Sequence, residues 1–210
     1  PPGGAGRSRL MPALNLLPQK LPRNIADPIG RTVAKLGVTP NMISIFGFLG
    51  NGAAAWLIVE ERLVWAGVVY LFFSALDFVD GAVARATNQA TDYGAVLDAI
   101  LDRASEALVL VAIAWYFGER GENVQSVLAF AALFGSVAVS YMRARAEILG
   151  LSMREGLFRR QERVALLVIG LLLNGLTVVV AALAVLANIT ALQRFFLIGR
   201  GLRRMDSPGE

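Results

Sequence analysis

Six apolar runs follow one another along most of this chain, at about Met42–Val59, Leu63–Val83, Gly94–Phe117, Val124–Ile148, Gly156–Leu173 and Leu176–Ile198. A helix needs about 20 apolar residues to cross the hydrocarbon core of a bilayer. With 56% of residues hydrophobic and a positive mean hydropathy, the runs predict one all-α domain, a polytopic membrane protein with six transmembrane helices. The fifth run is short, and Asn174-Gly175 is the tight turn expected between it and the sixth. No internal repeat is evident.

Charge placement orients the bundle. Of 20 Lys and Arg, only Arg62 and Arg120 fall in the connections after the first and third runs. The other basic residues lie in the N-terminal segment, around residues 77–103, between Arg143 and Arg163, or from Arg194 onward. The positive-inside rule therefore puts both termini and residues 77–102 on the cytoplasmic side, as expected for a plasma-membrane protein. Trp56, Trp65 and Trp115 lie near the outer turns, where an aromatic belt belongs. The net charge of +4 reads as orientation and affinity for anionic lipid headgroups. Few lysines, no aromatic-basic interleaving and no soluble domain argue against nucleic acid as a partner.

Residues 1–20 are expected to be a flexible N-terminal segment, with Pro1–Arg9 rich in Gly and Pro and Met11 a candidate natural start. The membrane domain is expected over 21–200 and a cytoplasmic tail over 201–210. Within Pro22–Leu36, Ile25, Ile29, Val33 and Leu36 recur at helical spacing, with Arg23, Arg31 and Lys35 elsewhere on the surface. That pattern predicts an N-terminal amphipathic helix lying in the cytoplasmic interface.

Against this apolar background stands Asp77-Phe-Val-Asp80-Gly81-Ala-Val-Ala84-Arg85, then eight residues, then Gly94-Ala-Val-Leu-Asp98-Ala-Ile-Leu-Asp102. Asp77 and Asp80 are three apart and Asp98 and Asp102 four apart, so each pair shares one side of its helix. An acid in a membrane segment is costly and normally faces a polar, functional cavity. Four converging acids need a counter-charge, and divalent cations preferring hard oxygen ligands supply it. The alternative, structural pairing with Arg85 and Arg103, leaves one arginine for two acids on each helix. Asp77 lies about 22 Å along its helix from Arg62, and Asp98 about 30 Å from Gly118. Both distances put the acids near the cytoplasmic boundary of a core about 30 Å thick. The chain has no cysteine and no histidine. Thiolate and imidazole metal sites are thereby excluded, and an aspartate is the obvious general base.

The pattern D-x2-D-G-x2-A-R-x8-G-x3-D-x3-D resembles the signature of the CDP-alcohol phosphatidyltransferases, integral membrane enzymes of phospholipid synthesis. The resemblance implies two divalent cations, Mg²⁺ or Mn²⁺, with Asp77 and Asp98 touching both, Asp80 completing one and Asp102 the other. It also implies that Asp102 accepts the proton of the attacking hydroxyl. Gly81, Arg85 and Thr91 match positions that bind the CDP moiety, and Thr39, Pro40, Asn41 and Met42 match a segment contributing to nucleotide-lipid binding. Arg85 suits a diphosphate because its charge is permanent and forked. A homodimer is expected from the resemblance alone.

A second basic cluster bears on the acceptor. Ser140-Tyr-Met-Arg143-Ala-Arg145-Ala-Glu147 ends the fourth run, and Arg159-Arg160-Gln161-Glu162-Arg163 lies in the fifth. Orientation alone accounts for Arg154 and Arg159, but Arg143 and Arg160 are expected at the interface beside the acids. A basic pocket next to a metal site suggests an acceptor carrying phosphate. These runs, with Gln193-Arg194, resemble the phosphatidylinositol-phosphate synthase branch of actinobacteria and archaea over about Pro22 to Arg200. That resemblance implicates Ser140, Arg143, Arg160 and Arg194 in binding inositol phosphate, with Arg145 and Arg163 as nearby support. Arg159 and Gln161 depart from the related pattern, which tends to carry an acid and a proline there. The expected reaction moves a phosphatidyl group from CDP-diacylglycerol, or an ether-lipid analogue, to inositol 1-phosphate. Glycerol 3-phosphate, the acceptor of phosphatidylglycerophosphate synthase, is the closest alternative. A cation transporter is a distant one, since it predicts acids at mid-membrane.

Overall fold

The computed structural model describes residues 28, 32–33, 37–86, 91–151 and 159–206. Among these residues there is no strand; nearly all lie in seven helices. They are α1 (Pro40–Val59), α2 (Leu63–Ala75), α3 (Asp77–Ala86), α4 (Asp92–Glu119), α5 (Asn123–Ile148), α6 (Arg160–Leu172) and α7 (Leu176–Asp206). The expected N-terminal segment and most of the expected amphipathic helix lie outside the described residues. Within the latter, Thr32 Oγ1 donates to the Pro28 carbonyl at 2.9 Å.

Local chemistry sets the helix ends. Thr39 caps α1, accepting from the Met42 amide at 3.3 Å, and Pro40 occupies the first turn, where its missing N–H costs nothing. Thr91 caps α4 by accepting from the Gly94 amide at 3.0 Å. Gly121 and Gly150 take positive φ after α4 and α5. Asn174 adopts the left-handed conformation at φ 51° in the turn between α6 and α7. The second run does not form one unbroken helix to Val83. A turn at Leu76 divides it into α2 and α3. The last helix continues past Ile198 to Asp206.

Each helix packs on the next around a ring, in the order α1, α2, α6, α7, α5, α4 and back to α1, with α3 against α1 and α2. Two glycines allow close crossings. A Cβ on Gly50 would overlap the Phe73 ring at 2.1 Å, and one on Gly135 would meet the Asn188 amide nitrogen at 2.9 Å. Small residues at such crossings let membrane helices gain packing where lipid offers no hydrophobic drive.

The ring is apolar at one end and polar at the other. The core cluster, including Ile58, Leu63, Ile113, Phe117, Ala129, Leu171 and Val180, gathers toward the α1–α2, α4–α5 and α6–α7 turns. Ser44, Asp80, Glu106, Ser136, Arg163 and Arg194 are buried in the rest of the ring. Phe46, Leu49, Phe72, Phe134 and Phe196 point outward, as do all three tryptophans. This pattern suits a protein solvated by lipid. Among the described residues, four stretches suffice by length and composition to cross a membrane: Pro40–Val59, Leu63–Gly81, Asn123–Ile148 and Leu176–Arg203. Six spans were expected, and four of them meet this measure among the described residues. The 28-residue α4 is long enough but carries the acids, and α6 has 13 described helical residues.

Candidate active site

The interruption at Leu76 shapes the first acid pair. The Leu76 amide bonds to the Phe73 carbonyl, and the Val79 and Asp80 amides bond back to the Leu76 carbonyl. The chain thereby restarts as α3 with Asp77 and Asp80 in its first turn. A helix N-terminus favours negative charge, which offsets part of the cost of two acids at this depth. On α1, Ser44 Oγ donates to Asp80 Oδ2 at 2.8 Å. One turn along, a Cβ on Gly47 would stand 3.9 Å from Asp77 Oδ1.

Asp98 and Asp102 approach from α4. The charge of Asp98 acts on Asp77, Asp80 and Asp102, and Asp102 lies within hydrogen-bonding reach of Asp77. Arg160, at the start of α6, joins the two acid-bearing helices: Nη1 donates to Asp77 Oδ2, and Nη2 lies 3.0 Å from Asp102 Oδ1. Arg103 stands at the edge, 3.9 Å from Asp102, with its Nη1 donating to the Ala99 carbonyl at 2.6 Å. Among the described residues no group of three or more acids forms a ready-made metal cage. The donor set itself is wholly carboxylate oxygen, the chemistry that hard divalent cations take. Four acids that act on one another demand more positive charge than Arg160 carries.

Beside the acids, the N-termini of α1 and α4 meet. A Cβ on Gly94 would lie 3.0 Å from Asn41 Oδ1 and 3.1 Å from Thr91 Oγ1. Two helix N-termini side by side offer amide donors and a positive potential suited to phosphate. This brings Thr39, Pro40, Asn41 and Met42 next to Thr91. Gly81 is half-buried on α3, and the side chain of Arg85 lies outside the described residues.

The arginines separate into different environments. Arg194, 6% exposed, donates through Nη1 to the Val139 carbonyl at 2.8 Å, and its Nε has no partner. It feels the like charges of Arg143, Arg159 and Arg163. Arg143 is exposed and pairs with Glu147 at 2.9 Å; Ser140 is half-buried and Arg145 exposed on the same helix end. Arg163, expected as nearby support for the acceptor, faces a carboxylate. Its Nε and Nη2 bond to Glu106 at 2.6 and 2.9 Å, deep in the ring. Two of its nitrogens thus already face a carboxylate.

Ser44 and Glu106 are buried polar side chains at the site that the sequence did not single out. For Glu106 a signal exists: it continues the spacing Asp98, Asp102, Glu106 at intervals of four. Ser44 offers none, because a lone serine in an apolar run more often bonds its own helix, and Ser44 Oγ does also reach the Pro40 carbonyl at 3.3 Å.

Known proteins resemble this arrangement closely. The archaetidylinositol phosphate synthase of Pyrococcus horikoshii is 37% identical over 171 residues, covering 81% of this chain and 88% of that protein. The phosphatidylinositol phosphate synthase of Corynebacterium glutamicum is 35% identical over 196 residues, covering 89% and 90%. The crystal structure of Mycobacterium tuberculosis phosphatidylinositol phosphate synthase with CDP-DAG bound matches with a TM-score of 0.77 at 31% identity, covering 83% of this chain and 94% of that one. A structure of the same enzyme in complex with manganese and citrate matches with a TM-score of 0.75. Residues 37–193 match the CDP-alcohol phosphatidyltransferase family, and with them the acids, the α1 and α4 N-termini and nearly all of the ring: this chain belongs to that family.

Proposed function

We propose that the protein transfers a phosphatidyl group from CDP-diacylglycerol, or an ether-lipid analogue, to inositol 1-phosphate, giving phosphatidylinositol phosphate and CMP. One observation carries this reading: four acids that act on one another and a buried arginine that feels three others share one polar half of the bundle. Acids suit the donor's cation-bound diphosphate, and arginines suit an acceptor with its own phosphate.

The hydroxyl of the acceptor attacks the lipid-side phosphorus, a new P–O bond forms, and the bond to CMP breaks. Asp77, Asp80, Asp98 and Asp102 would hold two divalent cations, Mg²⁺ or Mn²⁺, which when bound neutralise charge on the diphosphate. Asp102 takes the hydroxyl proton. Thr39–Met42, Gly81, Arg85 and Thr91 orient the CDP moiety at the paired helix N-termini. Ser140, Arg143, Arg160 and Arg194 bind the acceptor, with Arg145 at the pocket mouth. Arg160 bridges Asp77 and Asp102, two of the acids that would hold the cations.

In the membrane, α4 and the stretch including α6 complete six spans, with the polar half at the cytoplasmic face of the plasma membrane, and two copies form a homodimer. The acceptor is tested with purified enzyme in CDP-diacylglycerol vesicles containing Mg²⁺ and equal amounts of labelled inositol 1-phosphate, glycerol 3-phosphate and inositol. Label should enter lipid from inositol 1-phosphate, with CMP released in equal amount. Preferential use of glycerol 3-phosphate would make this a phosphatidylglycerophosphate synthase. Use of free inositol would remove the role given to the arginines.

A further inference from the structure

The last helix outruns the hydrocarbon core. At 1.5 Å per residue, Phe196 lies about 30 Å along α7 from Leu176, the full thickness of that core. The helix nevertheless continues to Asp206, so its final turns stand at headgroup level. Gly199 and Gly201 weaken such an extension by their poor helix propensity. Packing offsets this: a Cβ on Gly201 would stand 3.0 Å from the Leu151 side chain. Leu151 is itself held at the end of α5, where its amide donates to the Ala146 carbonyl at 2.9 Å and Gly150 takes a φ of 75°.

The outward face of α7 changes character at the same level. Val185, Ile189, Leu192 and Phe196 form a stripe, 49–62% exposed. With 3.6 residues per turn, Arg203 falls on that stripe, about five turns after Val185 and about two after Phe196, and Arg200 follows Phe196 by one turn. Both arginines are exposed, and among the described residues neither forms a salt bridge. Arg203 lies about two and a half turns beyond the buried Arg194, on the opposite side of the helix and away from the acceptor residues. On neighbouring α5, the outward residues Phe134 and Val137 lead to Tyr141, which is 64% exposed. Tyr141 lies about 26 Å along its helix from Val124, a depth where an interfacial aromatic belongs.

An apolar stripe that ends in two exposed arginines matches an amphiphile with acyl chains below and an anionic headgroup above. Membrane orientation alone needs only positive charge on this side, which a loose tail could carry. It does not need a helix held rigid through two glycines with both guanidinium groups on its lipid-facing side. We propose that the cytoplasmic extension of α7 is a site for an anionic phospholipid of the surrounding bilayer, separate from the CDP-lipid and acceptor sites. The forked guanidinium suits the lipid phosphate, and basic side chains at headgroup level attract anionic lipid.

The test titrates purified full-length protein in detergent with phosphatidylglycerol, phosphatidylcholine or inorganic phosphate and reads the melting temperature. Phosphatidylglycerol should raise it saturably, and the other two should not. Arg200→Gln/Arg203→Gln should melt with wild type when no lipid is added, and should release CMP at the wild-type rate in phosphatidylcholine vesicles containing CDP-diacylglycerol, Mg²⁺ and acceptor. It should need about tenfold or more phosphatidylglycerol to reach half of the wild-type stabilisation. Gly201→Leu, which keeps both charges but pushes the extension off Leu151, should lose part of the same response. A double variant that responds to phosphatidylglycerol like wild type overturns the proposal. So does an unchanged response in Gly201→Leu, because the charges then act without the frame. Equal stabilisation of wild type by phosphatidylcholine would show lipid packing with no headgroup selection, and equal stabilisation by inorganic phosphate would show a soluble-anion site; either result overturns it as well.

Discussion

At the scale of single residues, the site is a problem of too much negative charge in a poorly solvating place. Ser44, the N-terminus of α3 and Arg160 each relieve part of it. Asp98→Asn and Asp77→Asn should each abolish turnover and weaken Mn²⁺ binding, because each removes both a ligand oxygen and its charge. Isothermal titration beside a CMP-release assay checks this, and near-normal activity at low Mg²⁺ would contradict it. Asp102→Asn should separate the two readouts. CDP-lipid and metal binding should largely persist while turnover falls by about 10²–10⁴-fold, the usual contribution of a general base. Parallel collapse of binding and turnover would make Asp102 a ligand first and leave the base to another group.

At the scale of helices, most boundaries were legible because they are written in turn chemistry. Thr39-Pro40, Thr91, Gly121, Gly150 and Asn174 all mark ends that the fold uses. The turn at Leu76 was not legible: no Gly or Pro lies between Gly67 and Gly81, and only the crowding of acids onto a fresh helix start accounts for it. The extension of α7 to Asp206 was hidden for the opposite reason. Gly199 and Gly201 weaken the helical pattern locally, yet Gly201 lies so close to Leu151 that a Cβ would stand 3.0 Å from it. Close packing of this kind yields a prediction on α1 and α2. Gly50→Ala should lower the melting temperature by an amount reflecting about 1–3 kcal/mol of overpacking, because its Cβ overlaps the Phe73 ring. Gly50→Ala/Phe73→Leu should recover much of the loss. A single variant as stable as wild type would show that the crossing is looser than described.

At the scale of the whole molecule, the ring divides its length between an apolar half that packs and a polar half that works. The acid half of the site was readable from spacing, since both acid pairs lie within single helices. The pairing of Arg160 with Asp77 and of Arg163 with Glu106 was not, because it depends on which helices face each other across the ring, separated by 83 and 57 positions in the chain. That cross-ring geometry brings acids from α3 and α4 onto one side chain, and Arg160 is where the proposed arrangement is most directly measured. In Arg160→Gln, KM for inositol 1-phosphate should rise steeply, about tenfold for each 1.4 kcal/mol lost. KM for CDP-diacylglycerol should barely move, and Mn²⁺ affinity should hold or increase, since a competing cation has left Asp77 and Asp102. Equal increases in both KM values with weakened Mn²⁺ binding would contradict this, and would make Arg160 a strut of the fold instead of the acceptor's partner.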